Sequence, residues 1–381
     1  MDIRPNISHA SPPPRVADLH RIHMTKRPIF TICKKIIKLP NFSTLHHNMS
    51  VHREDVESVE LPHTYAGQVP LAVIGGTGLY DLPNLKPVAR LTVLTPWGFP
   101  SAQITVSVTE KGHPVAFLAR HGAHHDLLPS DVPLRANIAA LKSLGVKAIV
   151  AFSAVGSLQH EIRPRDFVLP TQIIDRTKGI RPSTFFERGF VAHATFGEPF
   201  DVKLNKLIAE TIPSAGFLDA FDSNAHPKLH SKEKTENGAD LTVICMEGPQ
   251  FSTRAESKVY RTMGGSVINM SVLPEAKLAR EAEIAYLMIC MLTDYDSWNE
   301  SEEPVTVETV VGNLKANSAN ACKVAGRLVD VISDDLFNGT LGLADELQGS
   351  MKYAVSTNIK GVKKDVLEKM HFLFPGYWPV K

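Results

Sequence analysis

Short apolar runs alternate with stretches of helical hydrophobic period from residue 69 onward. Val146–Phe152 and Ile284–Thr293 are almost continuously apolar, which predicts buried strands. Over Pro133–Leu144 apolar residues recur at i, i+4 and i+7, which predicts a helix. The same patterns predict further strands at Leu71–Ile74, Ala102–Val108, Pro114–Leu118, Phe167–Pro170, Leu241–Met246 and Ser266–Asn269, and further helices at Val202–Thr211, Thr253–Met263, Pro274–Glu281 and from Val307 to Val331.

Strands that alternate with helices predict a single α/β domain, whose central, mostly parallel or mixed twisted sheet is flanked by helices. Residues 215–240 are polar and irregular, so we expect a surface loop there. The pattern weakens after Asn338. We therefore divide the chain into an N-terminal extension (1–68), a folded domain (69–338) and a C-terminal extension (339–381), to which the pattern assigns no role.

Composition places the chain among soluble, enzyme-sized proteins, with 43% hydrophobic and 21% charged residues in 381. Its four cysteines show no CxxC spacing, which argues against a zinc ribbon or a disulfide framework and favours a reducing compartment. Apolar runs such as Ile284–Leu292 are far shorter than the roughly 20 residues of a membrane-spanning helix. We therefore expect no membrane partner.

Charge is distributed unevenly along the chain. Residues 1–53 hold nine of the 41 basic and two of the 40 acidic residues, which leaves 32 basic and 38 acidic residues in the remainder. The mildly acidic remainder argues against nucleic-acid binding. Residues 1–68 are expected to be disordered, and Met24 or Met49 are alternative translation starts. We expect a cytoplasmic protein, with the nucleus as a further compartment and mitochondrial targeting by residues 1–53 as an alternative.

Polar and glycine-rich segments follow two of the predicted strands, at the strand ends where ligands of α/β sheets collect. The first is Gly75–Gly78, in which the Thr77 hydroxyl and backbone N–H groups could contact a phosphate. It matches neither the dinucleotide fingerprint nor the P-loop, and a simple tight turn is the alternative. The second is Arg120-His121, where the guanidinium offers a planar fork of donors and the imidazole a further donor.

Two further strand ends carry polar side chains. Ser153-Ala154 offers a hydroxyl and backbone amides as anion donors, or is an ordinary exit from a strand. Asp294 and Asp296 leave the most apolar strand at i and i+2, so both can face one pocket. Burial and like charge would raise the pKa of at least one of them toward the range of a general acid.

From about Val69 to Val331 this chain resembles the trimeric purine nucleoside phosphorylase family. Nine motifs carry the resemblance, and they occur in the same order as in the family. The forms of Asn269–Ser271 and Pro304–Glu308 are similar to those of fungal members. The motifs are Val73–Leu79, Thr95–Ser101, Leu118–Gly122, Arg135–Ile138, Ala154–Leu158, Met246–Phe251, Val267–Ser271, Pro274-Glu275 and Thr293–Asp296.

The resemblance implies phosphorolysis of S-methyl-5′-thioadenosine, in which phosphate attacks C1′ and adenine leaves. It implies that Asp294 protonates N7 of the purine and that Asp296 recognises the 6-amino edge. The backbone of Met270 would hold a ribose hydroxyl, and Ser252 and Val307 would contribute to specificity. The residues implied as phosphate contacts are Thr77, Arg120, His121, Ser153, Ala154 and Ser271, the last in place of a threonine that is common in this family.

Two alternatives remain on the sequence alone. A general purine nucleoside phosphorylase acting on inosine or guanosine would resemble this chain but carry asparagine at the position of Asp294. A catalytically silent nucleoside-binding protein would not need the intact Arg120, His121 and aspartate pair. The resemblance also implies a homotrimer and no organic cofactor, with inorganic phosphate as co-substrate. No metal site is expected, because His, Asp and Glu do not recur at metal-ligand spacing.

Overall fold

The computed structural model describes residues 60–76, 82, 84–214, 227–300, 306–340 and 342–380. Residues 1–59 of the predicted N-terminal extension lie outside this part, and so does Thr77. Within it, eleven strands belong to one mixed sheet. They are β1 (Leu71–Gly75), β2 (Lys86–Leu91), β3 (Ile104–Val108), β4 (Pro114–Ala119), β5 (Ala148–Ser157), β6 (Phe167–Val168), β7 (Gln172–Arg176), β8 (Leu229–His230), β9 (Thr242–Met246), β10 (Val267–Asn269) and β11 (Ala285–Asp294).

The sheet is organised around β5. Its order is β2-β3-β4-β1-β5-β10-β9-β7, and β11 pairs with β5 and β6, which in turn pairs with β8. The strands β1 and β11 run parallel to β5, whereas β10 pairs antiparallel with the last two residues of β5, Gly156 and Ser157. β5 therefore brings the ends of β10 and β11 to the same edge of the sheet.

The central strands are buried along their length, which explains their apolar sequences. Every residue of β11 is buried, and only Ala154 of β5 is half-exposed. Strands of a parallel sheet covered on both faces read as continuous apolar runs, since neither face meets water. The predicted α/β fold is confirmed, with a mixed sheet.

Seven helices accompany the sheet in the described ranges. α2, α4 and α5 pack against β11, and α1 packs against α4 and α7. The longest, α5, buries Ala321, Val324 and Leu328 of the predicted apolar face. The helices are α1 (Leu134–Ser143), α2 (Val202–Ser214), α3 (Arg254–Thr262), α4 (Val272–Glu281), α5 (Val307–Asn338), α6 (Ser350–Tyr353) and α7 (Lys364–Leu373).

The C-terminal segment packs on the same core as the sheet. Met351, Leu367 and Trp378 are buried members of the main hydrophobic cluster. The buried Glu283 carboxylate, in the turn before β11, accepts hydrogen bonds from the backbone of Met351 (2.7 Å) and the hydroxyl of Tyr377 (2.7 Å). Residues 342–380 thus contribute to the stability of the domain.

Three strands were not predicted from the pattern. β2 and β7 are partly exposed, so they lack a continuous apolar run, and β8 has only two residues. β8 lies within 215–240, where we expected a surface loop. Residues 215–226 are outside the described part, but Leu229 is buried and pairs with Phe167.

Candidate active site

A cavity of about 620 Å³ opens at the carboxyl ends of the central strands. Its wall is formed by residues that follow β1 and β4, by the second half of β5, by the ends of β10 and β11, and by α5. Eight of the predicted site residues line it, namely Arg120, His121, Ser153, Ala154, Met270, Ser271, Asp294 and Asp296. The strand ends that the sequence singled out therefore converge on one site.

At one end of the cavity, Arg120 is buried and held by an ion pair. Its Nε and Nη2 donate to the two carboxylate oxygens of Glu275 at 2.7 and 2.8 Å, and Nη1 donates to the carbonyl of Phe152 at 2.9 Å. The Tyr286 hydroxyl donates to the same glutamate at 2.8 Å. This network fixes the plane of the guanidinium, as a bidentate arginine–carboxylate pair does.

His121 lies beside Arg120 and uses one ring nitrogen inside the protein. Its Nδ1 is 3.0 Å from the carbonyl oxygen of Leu127. Burial, helped by the neighbouring guanidinium, lowers the pKa of His121 to about 4. The ring is therefore neutral near pH 7, and its donor atom is already occupied.

The two serine hydroxyls of the predicted phosphate site meet each other. The Oγ atoms of Ser153 and Ser271 are 3.2 Å apart, although the two residues come from β5 and from the end of β10. Asn269 donates its side-chain amide to both, at 3.3 and 3.4 Å. The Ser153 hydroxyl donates to the carbonyl of Ala154 at 3.1 Å here, and because both serine oxygens accept from the Asn269 amide, the hydroxyl protons can turn toward an anion in the cavity.

Met270 directly follows β10 and is held by a buried arginine, Arg181. Its Nη1 donates to the carbonyls of Met270 (2.6 Å) and Leu273 (2.8 Å), and its Nη2 donates to the carbonyl of Glu247 (2.6 Å). Burial alone would raise the pKa of Glu247, but the Ser130 hydroxyl, backbone N–H donation and Arg181 hold it below its usual value. The pair is thus an ion pair that fixes the backbone on both sides of Ser271.

At the other end, Asp294 and Asp296 form a buried carboxyl pair. The backbone N–H of Asp296 donates to Asp294 at 2.8 Å, and the Thr293 hydroxyl donates to Asp294 at 2.7 Å. Burial raises the pKa of Asp294, against the effect of these two donors. Burial also raises the pKa of Asp296, to about 6; the Asp294 carboxylate adds to this rise and the Ser257 hydroxyl opposes it. The predicted direction of the pKa shift is thus found for both.

Gly156 of β5 makes room for this pair. A Cβ atom there would lie 3.0 Å from Oδ1 of Asp294 and 3.4 Å from Cβ of Asp296. A side chain at this position would require these neighbours to shift by a few tenths of an ångström. Asp296 itself has a φ of 50°, in the left-handed region that non-glycine residues rarely adopt.

Val307 does not line the cavity. It is the first residue of α5 and is 66% exposed. Val310, Val311 and Leu314, on the following turns, form the apolar wall instead. The role of Val307 in specificity stays a prediction, and these three residues are the apolar contacts that the first turns of α5 offer to the cavity.

Ser252 also lies outside the cavity wall, although it is buried beside it. Its carbonyl accepts a hydrogen bond from the Ser297 hydroxyl at 2.7 Å, and its own hydroxyl helps to hold down the pKa of Asp296. Thr77 stays a prediction, because it lies outside the described residues. Its neighbour Gly76 does line the cavity.

The sequence reasoning missed the residues that support the site. Glu275 and Asn269 belong to the motifs but have no predicted role, and Arg181 belongs to none of the motifs. Charged residues that become fully buried are rarely unpaired, so a search for the acidic partner of Arg120 would have led to Glu275. No local signal connects Arg181 with Met270, 89 positions away.

No group of three or more His, Cys, Asp or Glu residues in the described ranges could hold a metal ion. None of the helices in those ranges is both long and apolar enough to cross a membrane.

Comparison with known proteins agrees with this geometry. The family model of the phosphorylase superfamily matches residues 70–330. The chain belongs to this superfamily. A Candida albicans protein named S-methyl-5′-thioadenosine phosphorylase is 76% identical over 91% of this chain and 99% of its own length, and a Yarrowia lipolytica protein of the same name is 60% identical over 84% and 97%.

Solved structures of the superfamily share the fold. A methylthioadenosine phosphorylase from an Antarctic soil metagenomic library has a TM-score of 0.70 and 37% identity, and it covers 81% of this chain and 100% of its own. The methylthioadenosine phosphorylase of Schistosoma mansoni, solved in complex with adenine, has a TM-score of 0.65 and 31% identity, with coverages of 74% and 99%. The resemblance to phosphorylases, including fungal ones, is confirmed.

Proposed function

We propose that this protein is a pentosyltransferase that converts S-methyl-5′-thioadenosine and phosphate to adenine and 5-methylthioribose 1-phosphate. The observation that carries the proposal is that a buried aspartate pair and a set of anion donors face the same cavity. The high identity to proteins named for this activity supports it. The reaction would serve purine and methionine salvage.

Phosphate binds at the end of the cavity that holds Arg120. The guanidinium neutralises part of its charge, and the hydroxyls of Ser153 and Ser271 add donors. Phosphate held there is the nucleophile that attacks C1′ of the ribosyl group. The reaction needs no metal or organic cofactor, because phosphate is itself the second substrate.

Adenine leaves at the end that holds the aspartates. Without a proton the purine would leave as an adenine anion, which is a poor leaving group, whereas a proton on N7 lowers the barrier because neutral adenine then leaves. Asp294 donates this proton, and burial of its carboxyl favours the protonated form that the step requires. Asp296, whose pKa of about 6 leaves it mainly ionised at pH 7.5, accepts from the 6-amino group. Since the two carboxyls interact, they titrate as a pair.

The cavity suits the substrates of a general purine nucleoside phosphorylase less well. A 6-oxopurine requires a hydrogen-bond donor at its keto edge, and an ionised carboxylate cannot donate. The apolar wall of Val310, Val311 and Leu314 suits a methylthio group better than a free 5′-hydroxyl, which would lose its partner at about 1–3 kcal/mol.

The assembly and the compartment complete the proposal. We propose a homotrimer with sites near the subunit interfaces, as the family resemblance implies, and the cytoplasm as its location, with the nucleus as a further one. The mildly acidic folded part supports small-molecule substrates over a nucleic acid. Sedimentation analysis of the purified chain would contradict the first point if it gave a monomer.

The test of the activity is a side-by-side assay of methylthioadenosine, adenosine and inosine with and without inorganic phosphate. We expect phosphate-dependent release of adenine, with methylthioadenosine as the best of the three, and full activity after treatment with EDTA. Turnover without phosphate would show a hydrolase instead. A preference for inosine would show a general purine nucleoside phosphorylase.

A further inference from the structure

The hydrogen bond of His121 fixes which ring nitrogen carries the proton. A backbone carbonyl oxygen only accepts hydrogen bonds, and Nδ1 of His121 lies 3.0 Å from that of Leu127. Nδ1 must therefore carry the hydrogen. In a neutral imidazole the other nitrogen, Nε2, then has a lone pair and no proton.

The surroundings of the ring keep it neutral. The Arg120 guanidinium lies beside it, and the ring of His125 is 4.7 Å away between centroids. Together with burial, both disfavour a positive charge on His121 and lower its pKa, and the hydrogen bond to the Leu127 carbonyl only partly offsets this. The carboxylate of Glu275 is occupied by Arg120 and Tyr286, and it only weakly opposes this effect.

The lone pair of Nε2 is open to the cavity. His121 lines the cavity together with Arg120 and Ser153. Its Nε2 makes no hydrogen bond within the described part of the chain, and it is not among the sealed polar atoms there. An atom with these properties is available to a ligand, and what it offers the ligand is an acceptor rather than the donor that the sequence suggested.

We propose that His121 is a specificity residue whose Nε2 accepts a hydrogen bond from the P–OH group of hydrogen phosphate. This inference rests on the proposed function, because it concerns the oxyanion that enters the same site. The donors of Arg120, Ser153 and Ser271 serve the unprotonated oxygens, and the lone pair of His121 serves the one oxygen that carries a proton.

The site should therefore distinguish oxyanions by their protons and not only by their charge. Hydrogen phosphate and hydrogen arsenate carry an O–H group at neutral pH, whereas sulfate and monofluorophosphate are dianions of similar size that carry none. In place of the P–OH, these two would put an unprotonated oxygen or a fluorine against a lone pair. A site built around one specific hydrogen bond rejects analogues that lack it.

The first experiment measures how the unmodified chain binds the four anions at pH 7.5, by isothermal titration calorimetry. We expect arsenate to bind within about threefold of phosphate, and sulfate and monofluorophosphate to bind at least ~10-fold more weakly, as for the loss of one hydrogen bond with repulsion in its place. Equal affinity for phosphate and sulfate would overturn the proposal.

The second experiment tests whether His121 causes the discrimination. In His121→Gln the amide can rotate to donate or to accept, so we expect the ratio of sulfate to phosphate dissociation constants to fall by at least ~5-fold. The control is His124→Gln, an exposed neighbour outside the cavity wall, which should keep the parental ratio. An unchanged ratio in His121→Gln would overturn the assignment.

A third measurement reports the proton directly. Nitrogen-15 NMR of the histidine rings, with the His121 signals assigned by their absence in His121→Gln, should show Nδ1 protonated and Nε2 bare in the free enzyme. The opposite tautomer would contradict the proposal. If the proposed function itself is wrong, the parent protein will release no adenine in the presence of phosphate. If only this inference is wrong, phosphate-dependent turnover stays intact.

Discussion

The two ends of the cavity hold their charges by opposite means. At the phosphate end, the charged Arg120 guanidinium is held by two short hydrogen bonds to the carboxylate of Glu275, which is completely buried. At the purine end, Asp294 and Asp296 have no cationic partner in the structure as described, and burial raises the pKa of both. A buried ion pair keeps a charge in place, whereas desolvation makes a charge unfavourable.

This difference matches what each end has to do. A phosphate dianion needs donors that stay charged and oriented through the reaction. A leaving purine needs an acid that can give up a proton near neutral pH, which requires a carboxyl with a raised pKa. We expect changes at the phosphate end to act mainly on phosphate binding, and changes at the purine end to act on turnover and on pH dependence.

The largest effect should come from Asp294→Asn, which keeps the shape of the acid but removes its proton. We expect kcat on methylthioadenosine to fall by ~10²–10⁴, the usual range for a positioned general acid. Inosine should be penalised less, because the amide can donate to a keto edge. Steady-state assays on both substrates measure this shift.

The KM for phosphate is the internal control for Asp294→Asn, since the change lies at the other end. It should stay within about threefold of the parental value. Near-parental kcat on methylthioadenosine would show that the carboxyl is structural, and the contrast between the two ends would then be wrong.

The second effect is on stability and tests the cost of the buried charge. The pKa of Asp296 rises from 3.8 to about 6, so the folded protein binds this proton more tightly than the unfolded chain. At pH 7.5 the ionised group therefore destabilises the fold, by up to about 3 kcal/mol. Asp296→Asn should be more stable than the parent at pH 7.5, and this advantage should shrink as the pH falls through 6 toward 4.

Urea unfolding at several pH values measures that difference. The exposed Asp131→Asn serves as the control and should not show the gain in stability at pH 7.5. If Asp296→Asn is no more stable than the parent at pH 7.5, or if its advantage does not change with pH, the carboxyl is not destabilised by burial.

Glu275→Gln should act on the phosphate end alone. The amide cannot form the charged, bidentate pair with Arg120, so the guanidinium loses its fixed orientation. We expect kcat/KM for phosphate to fall ~10–100-fold, as for one to two charge-assisted hydrogen bonds, with little change in the pH profile of kcat.

A matched control for this change is Glu281→Gln, which alters another buried glutamate outside the cavity wall. It accepts from Thr184 and from the backbone of Phe185, so it should lower stability without raising the KM for phosphate. Equal kinetic effects of the two substitutions would mean that Glu275 is merely structural.

The sequence predicts the strands of this site where they are marked by long apolar runs. The strand ends could be predicted, because each is an apolar run followed at once by a polar residue, as in Val146–Ser153 or Ile284–Asp294. The convergence of those ends also follows, since parallel strands end at one edge of a sheet. The short, partly exposed strands β2, β7 and β8 have no continuous apolar run, so the sequence pattern does not predict them.

The support of the site could not be predicted in this way. Glu275 lies 155 positions from Arg120, and no periodicity connects them. The direction of the hydrogen bond at His121 depends on the position of the Leu127 carbonyl, which only the folded turn determines. Whether Val307 or Val310 faces the cavity depends on where α5 begins, and helix boundaries are weakly specified by sequence.

The smallest effect should come from Arg181→Lys. Arg181 lies between the two ends of the cavity, so this change tests whether they share one support. Lysine keeps the charge beside Glu247 but cannot hold the carbonyls of Met270 and Leu273 together. Because these carbonyls bracket Ser271, we expect the KM for the nucleoside and the KM for phosphate to rise together, by ~3–10-fold. The pH profile of kcat should not move, since no titrating group of the purine end is changed.

The control for this substitution is Arg280→Lys, which changes an arginine that donates to the carbonyl of Glu198 outside the cavity wall. It should leave both KM values unchanged. A rise in only one KM for Arg181→Lys would assign Arg181 to one end of the site, whereas a lower Tm with both KM values at the parental level would show that it acts on the fold alone. A parallel rise means that the segment between β10 and α4 is one rigid unit. In that case one backbone segment positions both substrates, although the two ends of the cavity differ in their electrostatics. Arg181 is then the positioning residue that fixes phosphate and ribose relative to each other.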